Sequence, residues 1–443
     1  MTTSEAETEI ERLMTLHPKG FDLSLGRIRR LLERLGNPQD RLPPVIHIAG
    51  TNGKGSAAAF SRALIEAAGL TVHVHTSPHL VHWHERYRLG APGGGRYVED
   101  AVFADAIRRV GEANGGQPIT VFEILTAVGF LLFSEHPADA AIIEVGLGGR
   151  FDATNVIEKP AATVIMPVSL DHEAFLGDRV ELIAAEKAGI IKPGVPLIVG
   201  AQESEDAREV ICDTAERLGA PYKTYGQEFI AYEEHGRLIV QDEDGLMDLP
   251  PPRLPGRHQY ANAAAAIAVV KAAGFRIGEA ECARAMQTVE WPGRMQRLMS
   301  GHLTTLAPKG SEIWVDGGHN PGAGTVIAEA MAEQEERLPR PLVMICGMLN
   351  TKDQTNYFRS FVGVVRHVYT VPITSSDAGV PNDALAARAM EAGLSAEPVA
   401  SIENALMLLR DGWSEDQPPP RILIGGSLYL AGEVLKLNGT PPQ

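Results

Sequence analysis

Short apolar runs alternate with amphipathic stretches along most of the 443 residues. Residues 45–49 (VIHIA), 71–76, 140–145, 162–170 and 196–199 read as strands. The run AAIIEV (140–145) is apolar almost throughout, as expected of a strand covered on both faces. Residues 56–68 predict a helix, with Phe60, Leu64 and Ala67 on one face and Gly69 as its stop. This alternation predicts βαβ units and parallel sheets. Residues 237–255 turn acidic and then proline-rich (DLPPPRLPG), which predicts a surface excursion or hairpin. An alanine-rich helix over 262–273 follows. After Trp291-Pro292-Gly293 a second βα series begins, with strands expected at 312–315, 342–346, 367–371 and 421–424. The boundary is placed at residue 296, giving domains 1–296 and 297–443.

The length suits two or three domains. The formal charge, 40 − 56 = −16, disfavours nucleic acid and anionic membranes, which need basic surfaces. Small anions remain possible, because a loop or helix terminus binds them locally. Cys212, Cys282 and Cys346 are far apart and odd in number, so a disulfide framework is not expected. The acidic start MTTSEAETEIERL lacks a signal peptide's basic and apolar regions. No apolar run approaches the roughly 18 residues of a membrane helix, and a cytoplasmic location follows as the expectation.

VIHIAGTNGKGSAAAF sets a glycine-rich turn between a buried strand and a helix. Gly50, Gly53 and Gly55 let the backbone wrap closely and aim N–H groups at phosphate oxygens. The helix N-terminus adds its positive end, and Lys54 supplies a charge for the β- and γ-phosphates. The string departs from the standard Walker pattern, since Gly55 separates Lys54 from Ser56. An ordinary βα turn with an exposed lysine is the alternative.

Ligands of open parallel sheets bind beyond the carboxyl ends of the strands. Ser77, Glu144, Asp171 and His172 fall at such ends and would suit Mg²⁺, which takes few protein ligands. Taken singly, each also reads as a cap or loop residue. His73, His75, His79, His82 and His84 crowd one stretch, but no cysteine or close carboxylate accompanies them, so they read as hydrogen-bonded or solvated rather than zinc-binding. Lys187 ends a helical pattern before Gly189 and by itself reads as a complement to the helix dipole.

Taken together the motifs resemble the folylpolyglutamate synthase/dihydrofolate synthase family of the Mur ligase superfamily. The matching strings are HIAGTNGKGS (47–56), TSPHL with ER (76–80, 85–86), TVFE (120–123), EVGLGGRFDATN (144–155), SLDH (169–172), EKAGIIKPG (186–194), Asn262 before its alanine run, PGRMQ (292–296), DGGHNPG (316–322) and GMLNTKD (347–353). The resemblance implies an α/β chain: a Mur-ligase-like P-loop ATPase domain with a central, mostly parallel sheet, then a smaller Rossmann-like C-terminal domain. It implies that Gly53, Lys54, Gly55 and Ser56 hold the ATP phosphates and that Asn262, Arg294 and Asp316 contact the nucleotide, with His319 beside them. Ser77, Glu144 and His172 match magnesium ligands. Lys187 matches a lysine carbamylated in the family, which would serve a second Mg²⁺. Lys54, Lys187 and His319 are the expected catalytic residues. Asp22, Leu23, Ser24, Thr120, Val121, Phe122, Glu123, Phe151, Asp152 and Ala153 match pterin-holding segments, the 22–28 stretch only loosely. Gly318 stands where alanine is frequent.

The implied activity joins L-glutamate to dihydropteroate and to folates through an acyl phosphate made with ATP, by a monomer. Only one of those two activities, or a Mur-type ligase acting on a cell-wall precursor, is the alternative. TSPHL and TVFE favour the folate branch. A P-loop kinase or switch would lack Gly55, and a non-catalytic homologue would not need Lys54, Glu144, His172 and Asp316 intact.

Overall fold

The computed structural model describes residues 5–16, 24–414 and 416–443. By internal contacts the chain forms two units. The first is Met1–Ser169, Leu176–Arg253 and Tyr260–Val289, and the second is Leu170–Phe175, Leu254–Gln259 and Glu290–Gln443. Asp22 and Leu23 lie outside the described residues.

The first unit is built on an eight-stranded sheet ordered Arg96–Tyr97, Tyr87–Leu89, Val72–His75, Ala140–Glu144, Val45–Ala49, Ala162–Ile165, Leu197–Val199, Tyr222–Thr224. The first two strands pair antiparallel and the other six run parallel. Val45–Ala49 and Ala140–Glu144 are buried at every position because helices cover both faces. One face packs Ala141 and Ile143 against Phe103, Ile107, Ile124 and Val128 of the helices Asp100–Asn114 and Val121–Glu135. Farther along the sheet the same face packs Ile165, Leu197 and Val199 against Ile183, Ala184, Ile211 and Ala215. Such βαβ-linked strands place every parallel carboxyl end on one edge of the sheet, and the loops bearing the motifs emerge there.

Two expectations need adjustment. The helix expected from residue 56 spans Lys54–Ala67, because Gly53 takes a left-handed φ of 80° and caps it two residues earlier. The run 162–170 is strand only over Ala162–Ile165 and leaves the sheet before Pro167, which has no N–H to give a ladder. The excursion at 237–255 is a hairpin, as expected, of Arg237–Asp242 and Gly245–Leu249, and Ile230–Glu234 adds a third antiparallel strand to it.

In the second unit six strands run in the order Gln296–Leu298, Glu312–Val315, Arg421–Gly425, Leu342–Cys346, His367–Thr370, Ala396–Pro398. Only the first pairs antiparallel. Its core joins Met344 and Leu423 of the sheet to Ile327, Met331, Tyr357, Phe358 and Phe361. Both sheets are mostly parallel, as the α/β pattern predicts. Arg421, 1% exposed, opens the central strand and pairs with Glu312 at 3.1 Å. Nothing in the apolar pattern foretells this buried pair. Among the described residues no helix is long and apolar enough to cross a membrane.

Candidate active site

The loop after Val45–Ala49 is tight because its neighbours leave no room for side chains. A Cβ on Gly50 would lie 2.7 Å from Met166 Cβ, and one on Gly53 would lie 2.8 Å from Asn262 Oδ1. The second contact also places Asn262 against the glycine-rich loop. Thr51 N donates to Pro167 O at 2.8 Å, and Asn52 Nδ2 donates to Ser169 Oγ at 3.2 Å, which ties the loop to the segment after Ala162–Ile165. Lys54 Nζ donates to Gly50 O and Thr51 O at 3.0 and 3.2 Å. Lys187, 4% exposed, donates from its Nζ to the same Gly50 O at 2.9 Å. Two ammonium groups therefore converge on one loop carbonyl. Gly55 and Ser56 lie in the helix's first turn, both buried.

Lys187 reaches that place because the helix end Val180–Lys187 packs against the 149–155 segment. A Cβ on Gly189 would lie 2.4 Å from Arg150 Cα, and one on Gly149 would lie 2.7 Å from Glu186 O. Asn155 Nδ2 bridges Arg150 O and Gly189 O at 2.9 and 3.0 Å, and Lys192 Nζ donates to Asn155 Oδ1 at 2.8 Å.

Strand register sets Glu144 beside Ile48, two residues before the loop. Glu144 is 5% exposed and accepts a hydrogen bond from Ser77 N at 3.3 Å. A carboxylate and a hydroxyl residue thus meet at adjacent strand ends. They are hard oxygen donors of the kind Mg²⁺ or Mn²⁺ takes.

Ser77 also lines a cavity of about 300 Å³, with Ser24, Thr120, Phe122, Glu123, Phe151, Asp152 and Ala153. The described pterin-segment residues meet here, apart from Val121, which is not among the lining residues. Pro78, Arg27, Arg86, Gly146 and Leu147 line it too. Sequence reasoning did not single these out, although the TSPHL, ER and EVGLGG strings contain four of them. A Cβ on Gly146 would meet the Phe122 ring at 2.3 Å, so the ring can lie over the strand end only because residue 146 is glycine.

The two carboxylates of the cavity differ. Asp152 Oδ2 accepts from Gly146 N and Leu147 N at 3.0 and 2.9 Å, and Oδ1 from Thr154 N and Oγ1 at 2.9 and 2.6 Å. Burial pushes its pKa up against these four donors. A carboxylate offers about four acceptor sites, so Asp152 is saturated by its own loop. Glu123, 4% exposed, is half used. Its Oε2 accepts from Thr120 N and Oγ1 at 2.9 and 2.8 Å, closing a capping box, and from Arg27 Nε at 2.9 Å. Its Oε1 is buried and has no hydrogen-bond partner among the described residues. Such an atom costs about 1–3 kcal/mol unless something pairs with it.

The histidine stretch is absorbed into packing. His73 Nδ1 accepts from Gly90 N at 2.9 Å, its Nε2 lies 3.0 Å from His136 O, and its ring stacks on Phe133. His75 stacks on Tyr87, and burial lowers its pKa to about 3. His79 Nδ1 accepts from Arg86 Nε at 3.0 Å.

The second unit gathers another group. Asp171 accepts from Lys352 Nζ at 2.6 Å and Asn320 Nδ2 at 3.2 Å, and His319 Nε2 lies 3.6 Å away. Burial alone would raise its pKa. The neighbouring His319 imidazole and the charges of Lys352 and His172 hold it well below the usual range. His172 follows with a left-handed φ of 54°. Asp316 is buried, which raises its pKa against the Arg294 charge, and it accepts from Gly318 N and Met295 N at 2.6 and 2.8 Å. A Cβ on Gly318 would lie 2.5 Å from Ile327 Cδ1 and 3.0 Å from Asp316 Oδ1, so alanine would need a shift here.

No protein-family model matches the chain. Curated relatives do. The chain is 34% identical over 462 residues to the dihydrofolate synthase/folylpolyglutamate synthase of Mycobacterium tuberculosis, covering 96% of this chain and 91% of that protein. It is 32% identical over 428 residues to the folylpolyglutamate synthase of Lacticaseibacillus casei, covering 92% of each. Among solved structures, Escherichia coli FolC in complex with DHPP and ADP superposes with a TM-score of 0.86 at 28% identity, over 98% of this chain and 99% of that one. A bifunctional folylpolyglutamate synthase/dihydrofolate synthase with Mn, AMPPNP and L-glutamate bound gives 0.83 at 27%, over 98% of both chains. With the glycine-rich loop, the paired lysines and the lined cavity in place beneath that likeness, the chain belongs to the folylpolyglutamate synthase/dihydrofolate synthase family.

Proposed function

We propose that the protein is an ATP-dependent ligase that joins L-glutamate to dihydropteroate and to folates, so that one site serves both reactions. The observation that carries this reading is Ser77. It lines the pterin-sized cavity and, through its N–H, touches Glu144 at the strand next to the phosphate loop. A carboxylate extending from the cavity is thereby led toward the phosphate end of the sheet.

Carboxylate oxygen is a poor leaving group. Transfer of the γ-phosphoryl group to it gives an acyl phosphate, which glutamate's α-amine attacks with loss of phosphate. Loop amides from Gly53 to Ser56 hold the phosphates, and Lys54 Nζ offsets charge spreading over the transferring oxygens. Ser77, Glu144 and His172 are the residues that would hold a divalent ion, whose chemistry is to neutralise phosphate charge. Lys187 is assigned as the carbamate that serves a second ion. A carbamylated lysine keeps one N–H on Nζ, so its contact with Gly50 O survives the modification. Asn262, Arg294 and Asp316 are assigned to the nucleotide, and His319 to the phosphate or the amine. Residues 1–296 are the domain assigned the pterin and phosphate work, and residues 297–443 carry Asp316 and His319. The setting is cytoplasmic and the protein acts as a monomer.

Glu123 Oε1 is the acceptor left open for the pterin's amino and ring N–H donors. Asp152, saturated, shapes its loop. Glu123→Gln is expected to weaken dihydropteroate binding by about tenfold, since Arg27 would hold the amide oxygen and leave an NH₂ facing those donors. ATP affinity should stay as in the parent, and equal dihydropteroate affinity in the variant would remove Glu123 from the pterin site.

Incubation with MgATP, L-glutamate and either dihydropteroate or tetrahydrofolate, followed by mass spectrometry, tests the function. Each acceptor should gain glutamate with ATP consumed. A product from only one acceptor would restrict the enzyme to that activity, and none from either would refute the reading.

A further inference from the structure

His47 stands in the middle of Val45–Ala49, the strand that runs into the phosphate loop, and is fully buried. Its Nε2 lies 2.9 Å from Thr154 Oγ1. Thr154 Oγ1 in turn lies 2.6 Å from Asp152 Oδ1. Asp152 can only accept, so the hydroxyl proton points to it and Oγ1 accepts from His47 Nε2–H. Burial, aided by the Lys192 charge, lowers the ring's pKa to about 3, so it stays neutral. The other ring nitrogen, Nδ1, has no hydrogen-bond partner among the described residues. Packing alone does not account for an imidazole here, because an apolar side chain would fill the space without stranding a polar atom.

The chain of contacts ends at the cavity. Asp152 lines it and gathers the N–H groups of Gly146, Leu147 and Thr154 around one carboxylate. Those bonds set the curl of the 146–154 segment, which also carries Phe151 and Ala153 into the lining.

We infer that His47 is a positioning residue for the pterin pocket: its Nε2–H commits the Thr154 hydroxyl to Asp152 and thereby holds the 146–154 loop in the shape that receives the substrate. The inference rests on the reading that this cavity takes the pterin. It also means that the strand leading to the phosphate loop and the loop forming the pterin wall share one hydrogen-bond chain.

The test is equilibrium binding of dihydropteroate, and separately of ATP, to the full chain and to His47→Leu, His47→Gln and Thr154→Val. His47→Gln places an amide N–H near where Nε2–H was. His47→Leu and Thr154→Val are expected to weaken dihydropteroate about tenfold, with ATP affinity within about twofold and His47→Gln within about threefold of the parent. Parent-like dihydropteroate affinity in His47→Leu overturns the inference. So does equal loss of both ligands in His47→Leu and His47→Gln, which marks general damage. Should His47→Leu fail to fold, Thr154→Ser against Thr154→Val decides, because serine keeps the hydroxyl and valine does not. A parent protein that binds ATP but not dihydropteroate overturns the cavity reading itself, a result distinct from the others.

Discussion

Lys54→Ala is expected to lower glutamate-dependent ATP turnover by about 10²–10³-fold, the loss typical of removing one preorganised group from a developing charge. The lysine opens the helix Lys54–Ala67, and its Nζ spans the loop to Gly50 O and Thr51 O. Alanine is a good helix former, and the loop is held elsewhere by Thr51 N on Pro167 O and by Gly53 under Asn262. The backbone cradle should therefore survive while the charge is lost. Steady-state turnover alongside a thermal melt separates these effects. Parent-like turnover would refute the phosphate assignment, and a collapsed melting temperature would show that Lys54 is structural.

A second large loss is expected at Lys187. Lys187→Ala should lower turnover by about 10–100-fold, the usual scale for groups that support a metal. Bicarbonate or acetate should restore part of it. Lys187→Arg gives the sharper result. Arginine keeps a cationic donor for Gly50 O, which Lys187 Nζ reaches at 2.9 Å, but it cannot form the carbamate. A carbamate role predicts that the arginine variant is as impaired as the alanine variant. Arginine working as well as lysine would show that the ammonium itself, bracing Gly50 beside Lys54, is what the reaction needs.

Much of this was legible in local pattern. The Val45–Ala49 strand, the glycine-rich turn and the following helix lie in one continuous string, and strand, turn and helix signals are short-range. Thr120 and Glu123 entered only through the family resemblance, and the structure adds their reciprocal bonds across three residues. The convergence of Lys54 and Lys187 on Gly50 O was not legible, because the two lysines lie 133 positions apart (187 − 54 = 133) and each alone has an ordinary explanation. The difference between Asp152 and Glu123 was equally hidden. Both belong to matching strings, and only a count of donors shows that one is saturated and the other open.

What the amino-acid order determined on its own was where most of the core strands run, that the two large sheets are mostly parallel, and that a glycine-rich loop follows the first of these strands, since periodicity and glycine placement act over a few residues. What only the tertiary structure decided was which distant side chains share a hydrogen bond: Ser77 with Glu144, Arg27 with Glu123, His47 with Thr154. Crossovers set strand order, and strand order sets those meetings. Coulomb and hydrogen-bond energies depend on separations of a few ångströms in space, a quantity that distance along the chain does not contain.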